Sequence, residues 1–336
     1  MIGYQGLTCK RRRIPALKLV TSGNTGGSSW IASFSPNGNF IAVNGDASTK
    51  EMSIWSWDGV DTVAEVESLN LDASTSNNSW HPDGDFIASS FYSSATGIRV
   101  YSWNGTDTLA EVETAAMNAT ERLQWHPDGD YLAVAADRVG SEIIVYSWNG
   151  TTTLAEVETV NIPQDYGFNV RWSDNGDYLA TCNYYAAGES SEVYSWNGTD
   201  TLAQIDGYDN NTYTTMSVWS SDNSYLFNTL GYSDSKSLEV LAFNGTALSF
   251  KDNVDLGATA VALDIYDDKY IAVSVAKTLY LYEFDSVAED LTFLSSIESS
   301  SSTSVFTPTF SSDGAFISLG VVGESGKTFK VYSTNI

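Results

Sequence analysis

The sequence predicts an all-β protein that folds as one seven-bladed β-propeller with four-stranded antiparallel blades. Its composition favours strands, because 19 Tyr, 14 Phe and 10 Trp accompany only 6 Pro. A ten-residue motif recurs with a spacing of 45 to 47 residues, which is the length of one propeller blade. The seven copies lie at residues 34–43, 80–89, 125–134, 172–181, 219–228, 264–273 and 310–319.

Each motif has the pattern of a hairpin between two strands. In WHPDGDYLAV at 125–134, a strand ends, a tight Pro-Asp-Gly turn follows, and an apolar strand begins. Most blades then show a second hairpin, as in VYSWNGTDTLAEVET at 100–114, where Asn-Gly marks the turn. The two hairpins together supply the four strands of a blade.

The last blade needs a strand from elsewhere in the chain. The C-terminal segment FKVYSTNI at 329–336 matches a third strand and leaves the fourth missing. Residues 14–22, IPALKLVTS, match the register of the fourth strand at 153–161. We therefore predict that residues 14–22 complete blade seven and close the ring, so that 14–336 form a single propeller after a basic tail at 1–13.

The repeat resembles those of WD-repeat-like propellers, the broad group that includes the TolB-type and lactonase-type seven-bladed families. The resemblance rests on turns such as FSPNGNF at 34–40 and WHPDGDF at 80–86, each followed by an apolar strand, and it covers nearly the whole chain. No blade has the Gly-His dipeptide, and none ends its third strand in Trp-Asp with the usual spacing. The resemblance therefore implies the architecture rather than a function.

The net charge of −26 excludes one class of partner. So many anions repel a phosphate backbone, and we expect no nucleic acid partner. No stretch approaches the roughly 18 to 20 apolar residues of a spanning helix, so no membrane insertion is expected. The basic run Lys10, Arg11, Arg12 and Arg13 is not followed by a signal-peptide core, which predicts a virion-associated or cytoplasmic location.

No catalytic constellation is visible in the sequence. His81 and His126 occupy the same turn position in adjacent repeats, which favours a structural role. No GxSxG motif is present, and Cys9 and Cys182 lie far apart and are expected to be free thiols. We therefore predict a protein that is not an enzyme.

The polar turns are predicted to be structural, and no cofactor is expected. Asp83 and Asp85 lack the oxygen-ligand ladder of a calcium loop, as do the equivalent Asp128 and Asp130. Calcium in the central channel stays possible, because lactonase-type relatives hold it with single ligands from different blades. Four Asn-Gly-Thr sequences match the glycosylation pattern, but their hairpin position explains them: Asn104, Asn149, Asn197 and Asn244.

Recognition is predicted on the face opposite the two hairpin turns, where the loops vary between blades. Exposed Tyr and Phe rings with nearby carboxylates suit a sugar or a basic protein patch; the alternative is that the same rings pack between loops. The candidate rim consists of Phe91, Tyr92, Asp165, Tyr166, Phe168, Tyr184, Tyr185, Tyr208, Asp209, Tyr213 and Tyr232.

The basic tail is the second candidate binding element. Lys10 to Arg13 are either a disordered leader or a segment that docks on an acidic neighbour, including another copy of the chain.

The leading functional hypothesis is a non-enzymatic interaction or structural propeller that presents loops to a protein or surface glycan, as a virion or tail-associated structural or receptor-recognition component. It would form part of a larger homo- or hetero-assembly. One alternative is a lactonase-like hydrolase with a divalent cation in the channel. Another is a cytosolic scaffold for a protein complex.

Overall fold

The computed structural model of the chain describes eleven stretches of residues. They are 15–46, 50–71, 73–91, 97–117, 120–136, 141–162, 167–183, 189–233, 236–299, 304–324 and 326–336. These residues form strands and no helix, and none of them makes a helix that could cross a membrane.

Blades 1 to 4 follow one another along the chain, and each has four antiparallel strands. Blade 1 contains β2 (Ser29–Phe34), β3 (Phe40–Gly45), β4 (Met52–Trp57) and β5 (Val63–Leu69). Blade 2 contains β6 (Thr75–Trp80), β7 (Phe86–Phe91), β8 (Ile98–Trp103) and β9 (Leu109–Ala115). Blade 3 contains β10 (Thr120–Trp125), β11 (Tyr131–Ala136), β12 (Ile143–Trp148) and β13 (Leu154–Val160). Blade 4 contains β14 (Gly167–Trp172), β15 (Tyr178–Asn183), β16 (Ser191–Trp196) and β17 (Leu202–Tyr208).

Blades 5 and 6 repeat this plan, and blade 7 combines both ends of the chain. Blade 5 contains β18 (Thr214–Trp219), β19 (Tyr225–Ser233), β20 (Lys236–Phe243) and β21 (Leu248–Val254). Blade 6 contains β22 (Ala260–Tyr266), β23 (Tyr270–Val275), β24 (Thr278–Asp285) and β25 (Asp290–Glu298). Blade 7 contains β26 (Ser304–Phe310), β27 (Phe316–Val322), β28 (Phe329–Ser333) and β1 (Lys18–Gly23).

The ring is closed by β1, as the sequence predicts. Strand β1 pairs antiparallel with β28, with Lys18 opposite Ser333 and Gly23 opposite Phe329. The strand spans 18–23, whereas the predicted range was 14–22. A single parallel bridge between Ile31 and Thr307 also joins the innermost strands of blades 1 and 7.

Aromatic rings connect the blades near their hairpin turns. A ring at the start of the second strand of one blade meets, edge to face, a ring at the end of the third strand of the next. Six junctions have such a pair, each of which contributes about 0.5–1.5 kcal/mol beyond buried area. The pairs are Phe40–Trp103, Phe86–Trp148, Tyr131–Trp196, Tyr178–Phe243, Tyr225–Phe284 and Phe316–Trp57, with centroids 4.9 to 5.4 Å apart.

Each of the two histidines contacts the first turn of the next blade, which agrees with the predicted turn role. His81 Nε2 lies 3.0 Å from the carbonyl oxygen of Gly129 in the next blade, and His126 Nε2 lies 3.0 Å from that of Gly176. The Nδ1 atom of His81 lies 2.6 Å from the Asp83 carboxylate in its own turn. Both ring nitrogens of His81 are therefore occupied by structural contacts.

Both kinds of hairpin turn lie on one side of the disc, which we call the hairpin-turn face. The Tyr131 hydroxyl, next to the first turn of blade 3, donates to the Gly198 carbonyl in the second turn of blade 4 at 2.9 Å. Tyr225 makes the same contact with Ser286 in blade 6 at 3.2 Å. The hairpin turns of successive blades are thus held in a fixed arrangement.

The histidine contact leads to a stability prediction. Gly129 has φ of +84°, and a Cβ on it would lie 2.4 Å from His81 Cε1. Gly150 has φ of +81° with open space around it, so Gly150→Ala measures the backbone cost alone. We expect Gly129→Ala to lower the free energy of unfolding by at least about 1 kcal/mol more than Gly150→Ala does.

Urea unfolding of the two variants measures this difference. In a chain that already carries His81→Ser, Gly129→Ala should cost no more stability than Gly150→Ala, because the clashing ring is gone. Equal losses for the two glycine variants would contradict a rigid contact between His81 and Gly129.

Candidate functional site

The innermost strands surround a central channel that contains a cavity of about 170 Å³. All seven blades contribute to its lining, from Ile31 of blade 1 to Thr307 of blade 7. Blades 3, 4 and 6 supply its charged side chains, Arg122, Arg171 and Asp264. Arg171 and Asp264 occupy equivalent register positions, opposite Ala180 and Ala272, and Arg122 lies two residues earlier than the equivalent position of its own strand, which Gln124 occupies.

Several channel side chains accept hydrogen bonds from the innermost strand of the next blade. Gln124 Oε1 accepts a hydrogen bond from the backbone N–H of Trp172 at 2.6 Å. Asp264 Oδ2 accepts one from Phe310 N–H at 2.8 Å. An innermost strand has no further strand beside it to accept its N–H groups, so these side chains satisfy exposed backbone donors. Their first role is therefore structural.

Two of the three charged side chains in the described lining of the channel are cations. Arg122 Nη1 donates to Thr307 Oγ1 at 3.0 Å, and Arg171 Nη2 lies 3.8 Å from Asp264 Oδ1. Burial raises the pKa of Asp264, and the nearby Arg171 opposes this rise. Asp264 is the single carboxylate among the described residues that line the cavity. No group of three or more potential metal ligands occurs in the described part of the chain.

A second cavity, of about 150 Å³, lies beside the channel at the hairpin-turn face. Arg171 and Asp264 line both cavities, and Asp174, Asp267 and Asp268 join them here. Asp268 accepts hydrogen bonds from the backbone N–H and the hydroxyl of Ser221 in the first turn of blade 5.

The hairpin-turn face itself is strongly acidic. Lys269 is the one lysine or arginine in its turns, all of which lie among the described residues, and it is paired with Glu283 at 2.8 Å. Every blade has at least one exposed aspartate in its turns, and Asn or Thr occupies some of the equivalent turn positions. They are Asp58, Asp61, Asp83, Asp85, Asp107, Asp128, Asp130, Asp174, Asp177, Asp200, Asp222, Asp267, Asp285 and Asp313.

Turn geometry explains many of these acidic and amide residues. Asp58 Oδ1 accepts backbone N–H bonds from Val60, Asp61 and Thr62, and these bonds lower the pKa of Asp58 to about 2. Asn104 accepts three equivalent bonds, and Asn149, Asn197 and Asn244 form the same kind of turn. The Asn-Gly-Thr sequences are therefore hairpin turns, as predicted.

The family to which this fold belongs is decided by a sequence comparison. The model of the ELP1 first N-terminal β-propeller matches residues 58–246, which is more than half of the chain. This chain belongs to that family of β-propellers. No curated protein sequence matches the chain.

Two solved structures are similar over nearly the whole chain. The Cps50 (Swd1) β-propeller domain of Myceliophteria thermophila is 13% identical with a TM-score of 0.67, covering 94% of this chain and 99% of that one. The periplasmic gluconolactonase PpgL of Pseudomonas aeruginosa is 17% identical with a TM-score of 0.69, covering 91% and 95%. At such identities the likeness shows a shared fold and does not transfer an activity.

The predicted aromatic rim is not assembled as expected where it can be described. Phe91 is fully buried at the end of β7 with Arg99 over its ring, so its assignment to an exposed rim is wrong. Tyr208 is half-buried in β17 against the core between blades 4 and 5. The ring of Tyr213 covers Gly231, where a Cβ would lie 2.2 Å from it, and Asp209 is exposed.

The other predicted binding residues stay predictions. Phe168 and Tyr232 belong to β14 and β19, and only their backbone is described. The remaining residues lie outside the described parts of the chain: Tyr92, Asp165, Tyr166, Tyr184, Tyr185, Lys10, Arg11, Arg12 and Arg13.

The two cysteines were expected to be free thiols. Cys182 is free and fully buried, and burial raises its pKa to about 12, whereas Cys9 lies outside the described residues. Such a buried thiol is unsuited to nucleophilic chemistry.

One buried carboxyl was missed by the sequence analysis. Glu239, in β20, is fully buried, and neither of its oxygens has a hydrogen-bond partner of good geometry among the described residues. The nearest cation is Lys236, whose Nζ lies 3.9 Å away. Burial raises the pKa of Glu239 to about 7, although the charge of Lys236 and the nearby Asn228 amide oppose the rise.

This carboxyl should make stability fall with rising pH. The ordinary pKa of 4.5 applies in the unfolded chain, so between about pH 4.5 and 7 only the unfolded state releases the proton. We expect Glu239→Gln to be more stable than the native chain by up to about 3 kcal/mol near pH 8. Near pH 4.5 the two should be equally stable.

Urea unfolding at the two pH values measures the effect. Glu156→Gln, at an exposed position of β13, is the control and should change stability by less than about 0.5 kcal/mol at either pH. A stability difference for Glu239→Gln that does not change with pH would contradict this account.

Proposed function

We propose that the chain is a non-enzymatic protein-interaction propeller whose hairpin-turn face binds a basic segment of a protein partner. The observation that supports this most strongly is the charge of that face, where exposed aspartates occupy the turns and Lys269 is already paired. Carboxylates of one sign on a rigid surface attract and orient a basic partner over several ångströms.

The turns are well suited to a docking surface because they are held in place. Hydrogen bonds from their own backbone and from the next blade fix them, so a partner would not have to order them on binding. The low pKa of Asp58 also keeps its charge over a wide pH range.

A basic segment of another copy is one partner of suitable chemistry. Lys10 to Arg13 form such a segment, and their docking on a second copy stays a prediction from the sequence. A surface glycan, a virion or tail-associated place and a cytosolic scaffold also stay predictions, and each is compatible with a binding propeller.

The alternative of a metal-dependent hydrolase is supported less well. Arg122 and Arg171 lie in the cavity where the cation would bind, and Asp264 is the single carboxylate of the described lining. Two guanidinium groups raise the electrostatic cost of placing a divalent cation there. The channel is better suited to holding the blades together than to binding calcium.

Binding of a deca-arginine peptide to the full chain tests the proposal. We expect Asp85→Lys with Asp130→Lys to weaken binding at least about tenfold, because both side chains are exposed on the hairpin-turn face. The matched control, Glu111→Lys with Glu156→Lys, changes the net charge equally on the outer strands and should weaken binding less than about threefold.

Calorimetric titration of the three proteins near physiological ionic strength provides the measurement. Equal weakening by both double variants would mean that only the net charge attracts the peptide, and it would overturn the assignment to the hairpin-turn face.

A further inference from the structure

The central channel is lined by positive charge in a chain that is strongly negative. The sequence has four arginines after residue 13, and two of them, Arg122 and Arg171, line the same cavity of about 170 Å³. Asp264 is the single carboxylate in the described part of that lining. The described lining therefore has the opposite sign to the whole chain, whose net charge is −26.

The register of the innermost strands divides the lining into two layers. Arg171 and Asp264 belong to the layer nearer the hairpin-turn face, where they lie opposite equivalent alanines of their neighbouring strands. The second layer lies two residues earlier along each strand and is deeper in the channel. Its members in the cavity lining are Ile31, Asn77, Arg122, Asn169, Met216 and Thr307.

The deeper layer places an arginine and a buried amide at equivalent positions of adjacent blades. Asn169 is only 3% exposed, and its Oδ1 has no hydrogen-bond partner among the described residues. A buried acceptor without a donor is unfavourable, so this oxygen favours a ligand that donates a hydrogen bond. Water would supply the donor alone, whereas an anion with an O–H group would also supply negative charge for the guanidinium.

Arg122 is suited to an oxyanion because its side chain is held in place. Its Nη1 donates to Thr307 Oγ1 on the other side of the channel at 3.0 Å. A guanidinium has five N–H donors in one plane, and this fork matches the oxygens of a phosphate or a carboxylate. The bond to Thr307 orients the group and thereby lowers the entropic cost of binding a ligand.

The cavity has room for a small ion. About 10–15 Å³ is enough to hold one water molecule. A cavity of about 170 Å³ therefore accommodates a ligand of several heavy atoms together with water.

We propose that the channel binds a small oxyanion that carries a hydroxyl group, with its charge near Arg122 and Arg171 and its O–H donating to Asn169 Oδ1. Hydrogen phosphate and small hydroxycarboxylates have this chemistry. The site is separate from the acidic docking surface, and it does not depend on the partner proposed for the hairpin-turn face.

Calorimetric titration of the full chain with sodium phosphate tests the proposal. At neutral pH and about 0.15 M ionic strength, the repulsion from the acidic face is screened within about 8 Å. We expect saturable binding at one site per chain, at least about tenfold tighter than that of sulfate, which has no O–H group at this pH. Glycolate should likewise bind more tightly than acetate, and the tighter of phosphate and glycolate identifies the class of ligand.

Three variants locate the site. Arg122→Gln should weaken phosphate binding at least about tenfold, because hydrogen bonds to charged groups are strong. The matched control Arg99→Gln removes the same charge outside the channel lining, where Arg99 pairs with Glu111, and should weaken binding less than about twofold. Asn169→Leu should lower the affinity for phosphate to that for sulfate without lowering the melting temperature, because the lost oxygen has no described partner.

The Asn169→Leu result decides the test even if Arg122→Gln does not fold. Absence of saturable phosphate binding would overturn the proposal. Equal weakening by Arg122→Gln and Arg99→Gln would also overturn it, because only the net charge would then matter. Equal affinities for phosphate and sulfate, unchanged by Asn169→Leu, would contradict the assigned hydrogen bond and overturn the proposal as well.

Discussion

The contact between neighbouring blades is the constraint on which the rest of the structure depends. A blade alone leaves both faces of its sheet exposed, and only stacking against the next blade buries them. Aromatic pairs such as Tyr131–Trp196, with centroids 5.1 Å apart, recur at six junctions. The junction of blades 6 and 7 differs, because Thr334 takes the position of the ring and donates to the Gly314 carbonyl at 2.7 Å. At this blade the β1 strand closes the propeller.

The acidic face follows from the same repeated geometry. Tight turns need side chains that accept backbone N–H bonds, and Asp and Asn do this best. Where the chain uses Asp, each blade adds charge to the same side of the disc. The turns thereby stabilise the blades and generate the field on which the proposed binding function rests. The aspartates that make few turn contacts, such as Asp85 and Asp130, add charge at no evident structural benefit.

The repeats made most of the fold predictable from the sequence. Seven motifs with a regular spacing predicted the blades, and the match between 14–22 and 153–161 predicted the closing strand. The equivalent positions of His81 and His126 correctly indicated contacts in turns. Features shared by all repeats were therefore accessible to sequence reasoning.

The features that distinguish one blade from another were harder to predict. Arg122, Arg171 and Asp264 meet in the channel from three blades, and a signal for them was a charged side chain in the last few residues of an innermost strand. Phe91 was misassigned because β7 continues beyond the motif and carries this ring into the core. Glu239 gave no signal, because nothing in an alternating strand reveals that a carboxyl will be fully buried.

Hydrogen exchange of the full chain with and without saturating deca-arginine tests the central claim most directly. The account predicts slower exchange in the hairpin turns that carry the exposed aspartates, with little change in the channel strands or in β25. Slower exchange confined to the channel strands around Arg122 and Asp264, or to the opposite face, would contradict an acidic docking surface on the hairpin-turn face.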